Sequence, residues 1–235
     1  MNTRTVAELK RELTFLYLVT QSVHSLEIND LLNEIVKIAT QVTKADSCFI
    51  YILDRKKDRL ILRASKNPHP NLLNKIKMKL SQGITGWVAK EKKPVAISHG
   101  AAKDPRFKLF RSLPEDRFEA FLSVPILDKH GVVGVINVQH KNKHRHQKME
   151  INLLTAIGKI VGGAVENAIL IEETLALKEA LELRKLIDRA KGILMRKGNL
   201  QEDEAYQKIQ QTSMNQRKSL KEISETIILA DKLKI

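Results

Sequence analysis

Lys185, Arg189 and Arg196 recur at helical spacing in the stretch LRKLIDRAKGILMRKGN, Leu183 to Asn199, with Gly192 among them. At about 100° per residue they share one narrow stripe, opposite an apolar face of Leu183, Leu186, Ile187, Ala190, Ile193 and Leu194. Basic side chains in such a row can neutralise successive phosphates of a nucleic acid. A glycine inside a helix costs roughly 1 kcal/mol relative to alanine, and a nucleotide approaching the bare backbone would offset that cost. A second reading is equally physical: Gly192 admits a neighbouring helix, and the charges merely solvate an exposed face. Further cations extend the candidate set. They are Lys191, Lys197 at the turn after the helix, Lys208 on the next helix, and Arg217, Lys218 and Lys221 around a second turn. Tyr206 is the only aromatic in this tail, and its helical spacing with Ile209 predicts a core position. Reading of unpaired bases, were the partner a nucleic acid, would then fall to Arg and polar side chains.

Other residue types offer less. His140, His144 and His146 fall in QHKNKHRHQK. A metal site needs neutral, convergent imidazoles, and the expectation here is a basic loop with no acidic or cysteine ligand beside it. Such a loop would add to an RNA footprint or repel a neighbouring subunit. Cys48, the single cysteine, stands among apolar strand residues and is expected to be a buried thiol, with oxidant sensing as the alternative. No P-loop, nucleophile elbow or metal-ligand series is present, so catalysis is not expected.

These residues must be positioned by a soluble, basic chain. It has 235 residues, 43% apolar and 29% charged, with a net charge of +14. That charge points to a polyanionic partner, although only +5 of it lies from Arg184 onward, where twelve Lys and Arg face seven Asp and Glu. No uninterrupted run of 18 apolar residues occurs, so no membrane contact is expected. One cysteine and a charged N-terminus without an apolar signal core fit a cytoplasmic protein.

Hydrophobic spacing then places the elements. Val6, Leu9, Leu13, Leu16 and Val23 predict a first helix with a near-heptad seam. Ile28–Val42 predicts a second. SCFIYILD and RLILRAS read as a hairpin, KIKMKL and PVAI as short strands, and FEAFLSVPILD and GVVGVINVQH as a second hairpin. About six strands flanked by helices predict an α+β domain with an antiparallel sheet. From Gln147 the helical period returns. Ile157, Val161, Ala164, Ala168, Ile171 and Leu175 form a 3–4 seam that shifts near Lys178. A helix over 147–183 would be about 55 Å long, which predicts pairing with the same helix of a second copy. Gly162 and Gly163 in it signal weakness or close packing. After GN at Gly198 and Asn199, a helix from about Gln201 and one opened by the capping box Ser219–Glu222 complete an all-α three-helix unit.

Two resemblances rest on quoted motifs. QGITGWVAKEKKPVAI, KDPRF and FLSVPILDKHGVVGVINVQ, in that order, make residues 28–168 resemble a GAF sensory domain. The resemblance implies a six-stranded sheet, a small-molecule pocket on one face and dimerisation through terminal helices. By analogy Trp87, Phe107, Phe121 and Ser123 would line that pocket. Its ligand is unknown, and KDPRFKLF lacks the cysteine that attaches a tetrapyrrole in some relatives. RAKGILM, EDEAYQKIQQTSM and LKEISETII make residues 177–235 resemble the ANTAR module of bacterial transcription antiterminators. That resemblance implies a dimeric RNA-binding output domain for paired stem-loops in leader transcripts, and it favours the phosphate-binding reading of the basic stripe. Ser213 stands where the ANTAR pattern usually has alanine. The expected organisation is a dimerisation helix (1–27), the GAF domain (28–168), a coiled-coil linker (147–183) and the RNA-binding unit, with an upstream signalling protein as a further partner. A protein-docking or DNA-binding tail is the alternative.

Overall fold

The computed structural model describes residues 27–67, 71–108 and 117–233. The expected Val6–Val23 helix lies outside them. The chain divides into two compact units with the boundary between Ile171 and Glu172.

In the first unit, α1 (Ile28–Thr43) precedes strands β1 (Ser47–Asp54), β2 (Arg59–Ser65) and β3 (Lys77–Lys79). Helix α2 (Gly83–Glu91), β4 (Val95–Ile97) and a short 3-10 turn, Ala101–Lys103, follow. The hairpin β5 (Ala120–Asp128) and β6 (Gly131–His140) closes the sheet. The strands run in the order β3-β2-β1-β6-β5-β4, every neighbouring pair antiparallel. This is the expected six-stranded α+β architecture.

The period-2 alternation of β1 explains the layers. Cys48, Ile50 and Ile52 face one core with Leu122, Val124 and Ile126 of β5 and with Leu31, Leu32 and Ile35 of α1. Phe49 and Tyr51 face the other, with Leu60, Leu62, Met78 and residues of α2. Cys48 is fully buried, and desolvation pushes its thiol well above the ordinary range. It is the structural thiol the spacing suggested.

Helix α3 (Lys148–Gly198) is a single helix that begins in the first unit and ends in the second. Leu153, Leu154, Ile157, Val161, Val165 and Ala168 pack into the α1-side core. Two glycines set how near it lies to β5. A Cβ on Gly158 would stand 2.4 Å from the Pro125 carbonyl oxygen, and one on Gly162 would stand 1.8 Å from that of Leu127. Gly163 faces open space. Arg55 beyond β1 adds an ion pair to Glu166 at 2.6 Å.

This packing corrects the seam. Ile157, Val161 and Ala168 are core residues of their own domain, because the sheet claims that stripe first. Apart from Ile160, the exposed large apolar residues of α3 lie further on, most of them grouped as Leu170, Ile171, Leu175, Leu177 and Leu181, with Leu177 68% exposed. By length and composition α3 also holds one window apolar enough to cross a membrane, 39% of it buried.

Substitution separates the adjacent glycines. Gly162→Ala forces a methyl into a backbone carbonyl and should cost about 2–3 kcal/mol of unfolding free energy. Gly163→Ala should be neutral or stabilise by up to about 1 kcal/mol. Urea denaturation of the two variants checks both signs.

Candidate nucleic-acid interface

The second unit is built on the C-terminal part of α3, with α4 (Glu202–Gln216) and α5 (Leu220–Leu233). Ala190, Ile193, Ile209, Ile223 and Ile228 form its core, with Leu186, Leu194, Leu220 and Ile227 packed around them. Asn199, at φ 48°, takes the left-handed position after α3, as GN predicted. Gln201 donates its backbone N–H to Glu204 at 2.8 Å, so the start of α4 is better held than its residue type suggests. The Ser219–Glu222 capping box forms as expected. Ser219 N–H donates to the Glu222 carboxylate at 2.7 Å, and Glu222 N–H donates back to the Ser219 hydroxyl at 3.2 Å. The Ser219 hydroxyl, which also donates to that carboxylate at 2.7 Å, and the Ser219 N–H hold the Glu222 carboxyl below the usual carboxylate range.

The basic candidates separate by what already holds them. Lys191 is committed to the fold: its ammonium meets Asp188 at 2.9 Å and Glu202 at 2.7 Å, and its side chain is 16% exposed. It fastens the first turn of α4 to α3, so the structure corrects its place among the phosphate candidates. Lys185 pairs with Glu182 at 2.8 Å, and Lys197 with Asp231 at 3.3 Å. Pairs this exposed are weak, screened by water and salt, and readily exchange a carboxylate for a phosphate. Arg189, Arg196, Lys208, Arg217, Lys218 and Lys221 are exposed and form no ion pair with the described residues.

Gly192 also resolves in part. A Cβ there would meet only the Arg196 guanidinium, at 4.0 Å. Among the described residues no other helix comes within 4 Å of that position, so none of them supplies the packing explanation.

Two residues differ from expectation. Tyr206 is 36% exposed and lines an open groove of about 350 Å³ with Leu183, Ile187 and Lys191. Ala205 and Ile209 take the core positions instead, so the inward stripe of α4 runs one residue to the side of Tyr206. The groove also holds Asp188, Glu202 and Asp203 beside Arg184 and Lys191, so Tyr206 is an exposed aromatic in surroundings of mixed charge. Ser213 uses the hydroxyl that alanine would lack, donating it to the Lys218 carbonyl at 2.5 Å. That bond braces the turn where Arg217 sits at φ 53°.

In the first unit a nearly closed cavity lies on the Phe49 and Tyr51 face of the sheet. Phe107 and Phe121 line it with Phe49, Tyr51, Thr85 and Gln139, around a free volume of about 20 Å³. That is room for about one water molecule. Ser123 lies beneath it, donating to Asn137 Oδ1 at 2.7 Å, and Asn137 Nδ2 donates to Thr85 at 2.8 Å. Ser123 is therefore a structural link between β5, β6 and α2 rather than a wall residue. Trp87 packs against the same core with Arg106 over its ring at 4.8 Å, and Arg106 is held by Asp104 through bonds of 2.9 and 2.8 Å. Neither Trp87 nor Ser123 lines the cavity.

The loop histidines are the clearest departure. His140 and His146 are buried, and Glu150, four residues beyond His146, meets His144 at 3.2 Å. An acidic neighbour therefore is present, one helical turn into α3, where sequence distance concealed it.

Two substitutions test the second unit. Ser219→Ala should lower its stability by about 1 kcal/mol through loss of the cap. Gly192→Ala should raise it by about 1 kcal/mol, because only helix propensity changes. Thermal melts monitored by circular dichroism read both.

Comparisons with known proteins agree with this division. A GAF domain family model matches residues 25–166, and an ANTAR domain model matches residues 175–228. A protein of the Escherichia coli phosphoenolpyruvate-dependent phosphotransferase system is 28% identical over 102 residues. The match takes in 43% of this chain and spans 14% of that relative. Among solved structures, the GAF domain of an Acinetobacter phosphoenolpyruvate-protein phosphotransferase is similar at TM-score 0.61 and 26% identity, over 69% of this chain and 98% of that one. The GAF domain of the Coxiella burnetii phosphoenolpyruvate-protein phosphotransferase gives 0.62 at 21% identity, over 68% and 95% respectively, which speaks for the fold alone. Three independent features, namely the sheet order, the three-helix core and the two matched spans, lead to one assignment: the chain belongs to the GAF domain family and carries an ANTAR domain after its GAF domain.

Proposed function

We propose that this chain is a signal-responsive RNA-binding regulator without catalytic activity, working in the cytoplasm. Its ANTAR domain engages stem-loops of nascent leader RNA as a dimer and holds an antiterminator structure, so that transcription continues. The observation that carries the reading is the set of six cations that form no ion pair with the described residues, Arg189, Arg196, Lys208, Arg217, Lys218 and Lys221, on a folded three-helix core. Lys191, already shared by Asp188 and Glu202, gains little from a phosphate; these six are available for counterion release. Tyr206 adds a surface on which an unpaired base can stack.

The dimer in this reading forms through the exposed apolar part of α3, Leu170 to Leu181, and the Val6–Val23 segment. A second copy burying those leucines would remove an apolar strip from water at about 25 cal/mol per Å². The GAF domain supplies the signal, from a small molecule or an upstream protein, by shifting the population of α3 pairings. The small-molecule route requires the cavity to widen beyond its present 20 Å³; a protein signal does not.

Purified full chain should select looped RNA from a two-hairpin library. An Arg189/Arg196/Arg217→Ala variant, melting normally, should bind the selected RNA roughly 100-fold more weakly, at about 1 kcal/mol or slightly less per phosphate contact. Equal indifference of both proteins to RNA would contradict the proposal and favour a protein-docking tail. Preference for duplex DNA over loops would favour the DNA alternative.

A further inference from the structure

Three imidazoles converge at the junction between the sheet and α3. His140 is the last residue of β6, and His144 and His146 follow in the six residues before Gln147. One ring nitrogen from each lies within 4.8 Å of the other two. The rings of His140 and His144 stack at 3.8 Å, and His146 stands edge-on to His144 at 4.8 Å.

Burial makes this arrangement costly as it stands. His140 is 6% exposed and His146 9%. Among the described residues the Nε2 of His140 and both ring nitrogens of His146 have no hydrogen-bond partner. A buried polar group left unsatisfied costs about 1–3 kcal/mol, and three such atoms at one spot call for an occupant. Desolvation, the largest cause, holds both rings below the ordinary imidazole range, His146 at about 4. Both are therefore neutral at pH 7, with lone pairs to donate.

The surroundings resemble a ligand shell. Glu150 holds the Nε2 of His144 at 3.2 Å, as an orienting carboxylate does for a ligating histidine. The same carboxylate accepts the Gln147 backbone N–H at 2.8 Å, which fixes it at the start of α3. The backbone N–H of His144 donates to Ser98 at 3.0 Å, which anchors the loop to the end of β4. Asp46 supplies a second nearby negative charge, fixed by the Lys141 N–H at 2.8 Å, and Lys66 the opposing positive one.

We propose that His140, His144 and His146 form a binding site for a divalent transition-metal ion, with Zn²⁺ the best chemical match. Three imidazole nitrogens suit Zn²⁺ in tetrahedral geometry with a fourth position left to water. Zn–N distances of about 2.0–2.1 Å imply nitrogens about 3.3 Å apart, so the rings close on the ion by small side-chain rotations. The bound ion ties the last strand of the sheet to the first turn of α3.

The test uses untagged full chain stripped with a chelator and titrated with Zn²⁺ against a chromophoric indicator, then with Co²⁺ by visible absorption. The expected result is one ion per chain, a tetrahedral Co²⁺ spectrum, and a rise in melting temperature with Zn²⁺. His146→Ala should lose the site. Glu150→Gln keeps the cap and should weaken binding by 10- to 100-fold, which keeps the test decisive if His146→Ala does not fold. His99→Ala and His130→Ala, both at exposed positions, should bind as wild type does. Zn²⁺ binding far below one per chain, or undiminished in His146→Ala or Glu150→Gln, would overturn the proposal.

Discussion

The contact on which the rest depends is backbone against backbone: Gly158 and Gly162 of α3 lying on the carbonyls of Pro125 and Leu127 in β5. Any side chain at Gly162 would lift the helix from the sheet. The leucines and isoleucines on either side would then lose close packing with α1 and the strands. Because α3 continues without a break to Gly198, the same helix supplies Ala190 and Ile193 to the core of the ANTAR unit. One element thus contributes to two cores. In its middle, Leu175, Leu177 and Leu181 are exposed and belong to neither core among the described residues.

That middle stretch explains how a sensor and an output can share a helix without sharing a core. Each unit meets its own apolar demand, and the exposed leucines between them are left for a second copy in the proposed dimer. A change in how two such stretches pair would reach the ANTAR unit through the helix backbone, with no ligand needed there. The metal site proposed at the start of α3 lies at the other end of the same element.

Much of this was legible in the residues, and the misses share a cause. The six strands, both hairpins, the left-handed stop at Asn199 and the Ser219 capping box follow from local spacing and turn chemistry, which act over a few residues. The seam through Ile157, Val161 and Ala168 had the right period but the wrong partner, because periodicity identifies a buried face without saying what buries it. Tyr206 and Ile209 sit three residues apart, and helical spacing alone could not decide which of the two the core would take. Glu150 lies only six residues from His144, yet their meeting depends on the turn between β6 and α3. For the site, the positions of the cations were readable, but their availability was not. Lys191 looked like its neighbours until Glu202, eleven residues on, was seen to claim it.

The central claim is that phosphates are met by cations the fold leaves unpaired. The most direct test is the salt dependence of stem-loop RNA affinity for wild type, Arg196→Gln and Lys191→Gln. The account predicts that Arg196→Gln lowers the slope of log affinity against log salt by about 0.7–0.9, one phosphate contact, while Lys191→Gln leaves it unchanged. An unchanged slope for Arg196→Gln, or an equal loss for Lys191→Gln, would contradict it.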